Sequence, residues 1–192
     1  MQTDHHQLYI QSSHFLHRYE GFPKSVCTSI NNVVCHGIPD ENEILEEGDI
    51  INVDVSTILN GYYSDASRMF TIGELSPEAE RIVRVTRECV ELGLKEAKPW
   101  GHLGDIAHAI NSHAKANGYS VVEEIGGHGI GLDFHEDPFV SYVTPKGSEV
   151  HTLLGNPSYP SGAGMPPCSF VKSYTSLSIS AVLMPALMWA AT

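Results

Sequence analysis

The sequence predicts an α+β fold, and three observations carry that prediction. Residues Gly48 to Ile72 alternate apolar and polar side chains on both sides of Asn60-Gly61, the strongest short hairpin signal. Two stretches with helical apolar stripes follow, and then a short strand leads into a glycine-rich run. Strands and helices mix without the strict alternation of a parallel βαβ sheet, and no repeat recurs at a fixed period.

In the hairpin, Ile51, Val53 and Val55 alternate with Asn52, Asp54 and Ser56. With Asn60 and Gly61 as the central turn residues, Leu59 pairs with Tyr62, and counting outward pairs Asp54 with Ser67. Asp65 then lies on the same face as Asp54. The two are diagonal neighbours, roughly 7–8 Å apart at the backbone, within reach of a shared ion. A β-bulge would break this parity. Two buried carboxylates that face each other repel, unless a proton or a cation sits between them. The plain reading is a solvated polar face. The functional reading is a metal site lined by hard oxygen ligands.

A helix is expected next, with Ser76 as N-cap, Pro77 at the first helical position and Glu78 and Glu80 at the positive end of the dipole. Ile82, Val85, Cys89 and Leu92 form its stripe, and Lys95, Lys98 and Pro99 mark its end. A second helix is expected from about Asp105 to Asn117, stopped by Gly118. The run YSVVEEI reads as a strand.

The strand leads into EIGGHGIGLDFHEDP, from Glu124 to Pro138, where four glycines surround His128 and His135 follows. Glycines let backbone pass close to a ligand, and a histidine among them is placed to reach a metal. A third histidine, His36, stands in NNVVCHGIP, where Cys35-His36-Gly37 ends an apolar strand-like run. Two Asp and one His as ligands, with two further His as acid/base or substrate donors, is hydrolytic metal chemistry.

Composition bounds the partners. A formal net charge of -12 argues against a general nucleic-acid binder and suits a protein that concentrates cations. None of Cys27, Cys35, Cys89 and Cys168 forms a C-x-x-C pair, and no charged-then-apolar leader opens the chain. The expectation is free thiols in the cytoplasm. The histidines crowded near the start, His5, His6, His14 and His17, read as solvated or disordered.

All 23 acidic residues precede residue 150, and Lys172 is the only basic residue from His151 to Thr192. At the density of the preceding part, roughly six carboxylates would fall in that tail. The tail is rich in Ser and Pro and ends in LSISAVLMPALMWAAT, too short for a bilayer span and interrupted by Pro185. A disordered or out-of-frame tail is expected there.

Three stretches, GFPKSVCTSINNVVCHGIP, GDIINVDVSTILNGYYSDASRMFTIG and GGHGIGLDFHEDP, stand in the order and spacing of one family. From about Tyr19 to Ser148 the chain closely resembles the type I methionine aminopeptidases. The resemblance implies the pita-bread fold, an α+β arrangement around a pseudo-twofold sheet. It implies a monomeric cytoplasmic hydrolase that removes the initiator methionine from nascent polypeptides, near the ribosome, without binding nucleic acid or membrane. By position, Asp54 resembles the bidentate ligand of one metal, Asp65 the carboxylate bridging two ions, and His128 the imidazole ligand. His36 resembles the histidine that contacts the scissile amide, and His135 the one that stabilises the tetrahedral intermediate. Tyr19, Phe22, Cys27 and Phe134 match positions lining a methionine pocket, where a thioether packs well against aromatic edges and a thiol. The cofactor implied is a pair of divalent ions, Co, Mn, Fe or Zn.

The family completes its site with two glutamates, one in a T-[IV]-E-P strand and one near the chain's end. Both positions fall after residue 150, where this sequence has no carboxylate. Three organisational parts follow: a divergent segment 1–18, an aminopeptidase-like core 19–150 and an atypical tail 151–192. The expected function is a metalloaminopeptidase acting on N-terminal methionine. The alternative is a catalytically impaired fragment or a non-catalytic pita-bread binding module, holding one ion or none. A proline-specific peptidase of the same fold is a third reading, opposed by Tyr19, Phe22 and Cys27.

Overall fold

The structure, a computed structural model, describes residues 21–98 and 101–148, together with the backbone of two short strands, Ser13–His14 and Met188–Ala190. The described elements run β1 (Ser13–His14), β2 (Cys27–Ile30), β3 (Ile50–Leu59), β4 (Tyr62–Thr71), α1 (Pro77–Glu96), α2 (Leu103–Ala116), β5 (Tyr119–Val121), β6 (Gly126–Gly129), β7 (Glu136–Ser141) and β8 (Met188–Ala190).

Strand β3 organises the first half. β4 pairs with it antiparallel along its whole length, from Ile50 opposite Thr71 to Leu59 opposite Tyr62. β2 and β1 share its other edge, with Cys27 opposite Asp54 and Ser13 opposite Ile58. The hairpin has the register that the two-residue turn demands. Asn60 (φ 53°) and Gly61 (φ 83°) both adopt the left-handed conformation that matches the twist of the flanking strands. No bulge interrupts β3 and β4, so Asp54 faces Ser67, Asp65 faces Ser56, and both carboxylates lie on one face.

The apolar run before His36 departs from expectation. The chain turns at Asn31, where φ is 50°, and Val33–Cys35 form no strand. The strand is β2, just upstream, and the Thr28 N–H reaches back to the Gly37 carbonyl at 2.9 Å. A left-handed residue ends the strand, and its periodicity cannot continue past it.

Helix α1 begins as its cap predicts, with the Ser76 hydroxyl accepting the Ala79 N–H at 3.1 Å and Pro77 at the first position. Helix α2 starts at Leu103, two residues before the expected Asp105. Asp105 serves its first turn, accepting the N–H of His102 at 3.3 Å and that of Gly147 at 3.1 Å. The helices pack through Val85, Cys89, Ile106 and Ile110, all fully buried, against Val121 and Tyr142. Among the described residues, no helix is long and apolar enough to cross a membrane.

Of YSVVEEI, only Tyr119–Val121 is extended, and it pairs with β8. The rest of the tail, including Pro185, lies outside the described residues. The glycine-rich stretch forms β6, paired antiparallel with β7, with a register shift between His128 and Gly129. The Asp137-Pro138 peptide is cis.

Candidate functional site

The hairpin supplies the carboxylates. Asp65 is 4% exposed, and its Oδ1 accepts the hydroxyl of Ser56 at 3.2 Å. Asp54 is differently placed: its Oδ1 is buried and has no hydrogen-bond partner. Burial, and then the neighbouring Asp65 carboxyl, push Asp54 upward to about 8, because both disfavour its charged form. Ser67, directly opposite Asp54, could have served as its donor. Its hydroxyl instead donates to Asn52 Oδ1 at 2.7 Å and accepts from Asn52 Nδ2 at 2.6 Å.

The β6–β7 ribbon supplies the imidazoles. The Tyr63 N–H donates to the Gly131 carbonyl at 2.8 Å, which ties the hairpin to the ribbon loop two residues from Asp65. Phe134 is buried between the Tyr63 ring (centroids 6.1 Å apart) and the His128 and His135 rings (5.8 and 4.6 Å). His128 and His135 meet edge-on at 4.4 Å. His128 Nδ1–H donates to the Gly129 carbonyl at 2.8 Å, which leaves Nε2 as the accepting nitrogen. The glycines serve the ribbon more directly than any ligand. A Cβ on Gly129 would lie 2.6 Å from the Asp137 carbonyl oxygen and 2.9 Å from that of Glu136.

Cys27 lies beside Asp54 on the same face, 2% exposed. Burial first, and then Asp54, Asp65 and Cys35, push its thiol up to about 12. His36 is exposed at a φ of 54° on the segment that returns beside β2. Phe22 is half-buried, and Tyr19 lies outside the described residues.

Sequence reasoning put Asp54 and Asp65 on one face of the hairpin and singled out His128 and His135 separately, without bringing their rings together. It missed Ser56, Asn52 and Ser67, although the counted register already put Ser56 opposite Asp65. Glu136 does not stand in for the absent glutamates, because its Oε1 accepts the N–H groups of Leu132 (2.7 Å) and Asp133 (2.8 Å). Glu123 and Glu124 are exposed.

The donor set fits one hard divalent cation better than two. The buried, unpartnered Asp54 Oδ1 beside Asp65 is an oxygen pair of the kind such an ion takes. Among the described residues, however, no three His, Cys, Asp or Glu side chains are placed to share an ion, so His128 does not join the aspartates in one cluster.

A family model described as metallopeptidase family M24 matches residues 2–159. The chain belongs to that family. Within M24, it is 54% identical over 129 residues to methionine aminopeptidase A of Synechocystis, covering 67% of this chain and 51% of that protein. It is 47% identical over 132 residues to the methionine aminopeptidase of Escherichia coli, covering 69% and 50%. The chain therefore spans about half the length of these relatives. The crystal structure of methionine aminopeptidase from Rickettsia prowazekii superposes with a TM-score of 0.72 at 42% identity, over 75% of this chain and 58% of that one. A Pyrococcus furiosus prolidase superposes at 0.56 with 23% identity, a likeness of fold alone. This M24 chain has the pita-bread α+β fold and resembles the type I methionine aminopeptidases, aligning with part of their length.

Proposed function

We propose that this chain is a catalytically impaired relative of the methionine aminopeptidases, one that keeps the methionine-facing part of the site and holds a single divalent cation on Asp54 and Asp65. The observation that carries the reading is the bare, buried Asp54 Oδ1 beside Asp65, with no third ligand side chain joining them among the described residues. A cation held there supplies Lewis-acid polarisation of a carbonyl oxygen. The chain's own groups do the rest. Phe22, Cys27 and Phe134, with Tyr19, receive the methionine side chain of a nascent polypeptide in the cytoplasm. His36 and His135 contact the substrate amide.

The impairment is supported by residues 150–192, which carry no carboxylate where the family places a completing glutamate. Loss of a positioned base and of a charge-stabilising ligand each costs roughly 10²–10³ in rate. The test compares this chain with the Escherichia coli relative for Mn2+ stoichiometry and Met-Ala-Ser cleavage. One equivalent of Mn2+ with turnover reduced by at least those factors is expected. Two equivalents with turnover at the relative's rate would establish full aminopeptidase activity, the reading that the 54% identity favours. An X-Pro peptide in parallel separates methionine from proline specificity.

A further inference from the structure

We infer that Asn52 is a positioning residue whose task is to hold the Ser67 hydroxyl away from Asp54, and that this keeps Asp54 Oδ1 free to bind a cation. The inference rests on the single-cation reading above and adds the residue that makes the site available.

A hydroxyl has one proton to donate. Ser67 is the direct cross-strand partner of Asp54, and side chains so paired have Cβ atoms close enough to interact. A serine opposite a buried carboxylate ordinarily donates to it, since an unpartnered buried acceptor costs free energy. Here that proton goes to Asn52 Oδ1 at 2.7 Å, while Asn52 Nδ2 occupies a lone pair of the same hydroxyl at 2.6 Å. Asn52 is 2% exposed, so no water competes for it from bulk solvent. The result is an asymmetric face. Asp65 has its donor in Ser56, and Asp54 Oδ1 has none. Asn52, two residues along β3, shares the face of Asp54 and, among the described residues, is the side chain that captures Ser67.

The lock predicts a specific pattern in four chains: wild type, Asn52→Leu, Ser67→Ala and the double variant. Leucine keeps the approximate size of Asn52 and leaves no buried amide behind. In Asn52→Leu the hydroxyl is released and turns to Asp54. Mn2+ affinity, measured by calorimetry above Asp54's raised pKa so that proton competition is absent, should weaken roughly tenfold. Ser67→Ala should bind as wild type, and adding it to Asn52→Leu should restore wild-type affinity. A purely structural role for Asn52 would leave the double variant as weak as the single one, and that result overturns the inference. So does a Ser67→Ala chain that binds more weakly than wild type, which would mean that the hydroxyl assists the site.

A crystal structure of Asn52→Leu gives a readout independent of any metal. The Ser67 hydroxyl should lie within hydrogen-bond distance of Asp54 Oδ1. A hydroxyl that stays away refutes the lock even if Mn2+ binds. A wild-type chain that takes up no Mn2+, with the hydroxyl found on Asp54 in the variant, refutes the cation reading and leaves the lock standing.

Discussion

Cys27 lies directly opposite Asp54 across β2 and β3, a buried thiol on the same ladder as a half-buried carboxylate whose Oδ1 is shut off from solvent. Burial first, and then the Asp54 carboxyl, make the thiol harder to ionise, and Asp65 and Cys35 add to the effect.

The first prediction concerns that thiol. With its pKa pushed up to about 12, Cys27 holds orders of magnitude less thiolate at neutral pH than a free cysteine. Iodoacetamide treatment of the folded chain, followed by peptide mapping, should leave Cys27 unmodified under conditions that fully modify a model thiol. Rapid alkylation at Cys27 would contradict the burial and charge described here.

Asp54 gives a pH dependence with a definite sign. Its ordinary value is 3.8, and in the fold it is raised to about 8. Between these values the folded chain keeps a proton that the unfolded chain has lost, so stability falls as pH rises through the window. The metal-free protein should have a higher Tm near the lower end of that window than near the upper end. Asp54→Asn should flatten the slope, and Mn2+ should offset it at the upper end. A Tm that climbs with pH in the absence of metal would refute the assignment.

Gly129→Ala should destabilise the ribbon. The added Cβ would press on the carbonyl oxygens of Asp137 and Glu136, both in the paired strand β7. Overpacking against backbone costs about 1–3 kcal/mol, readable as a shift in urea midpoint. A neutral effect would mean that β6 and β7 are further apart than described.

Ser76→Ala tests the start of α1. The hydroxyl accepts the Ala79 N–H at 3.1 Å, and losing such a cap typically costs about 1 kcal/mol. Ser76→Asp should retain most of the stability, because a carboxylate caps equally well.

Much of this was legible because it is local. The Asn60-Gly61 turn allows two residues and one geometry, so counting outward gave the register and put Asp54 and Asp65 on one face. Ser76 and Pro77 announced α1 in the same way. The illegible parts depend on partners distant in sequence. Asp105 reads as the first residue of α2 until its bonds to His102 and Gly147 show it serving the first turn from within. Val33–Cys35 is apolar enough for a strand, yet the left-handed Asn31 has already turned the chain. His128 stands out from its glycine setting, and the contacts that align its ring, with Gly129, Phe134 and His135, are ones that no spacing rule supplies. The three motifs carried the family, and the carboxylate-free stretch 150–192 pointed to the impaired reading.

The bond from Tyr63 to Gly131 has a consequence for how errors are caught during assembly. Strand alternation repeats every two residues, so a hairpin that slips by two still buries the right face and shows no fault in its polarity. What changes is absolute position. A slip by two carries the Tyr63 N–H away from Gly131 and takes Phe134's partner ring with it. The ribbon thus works like a second scale laid against the first: the turn sets the coarse count, and the Tyr63 contact rejects the counts that alternation alone would accept.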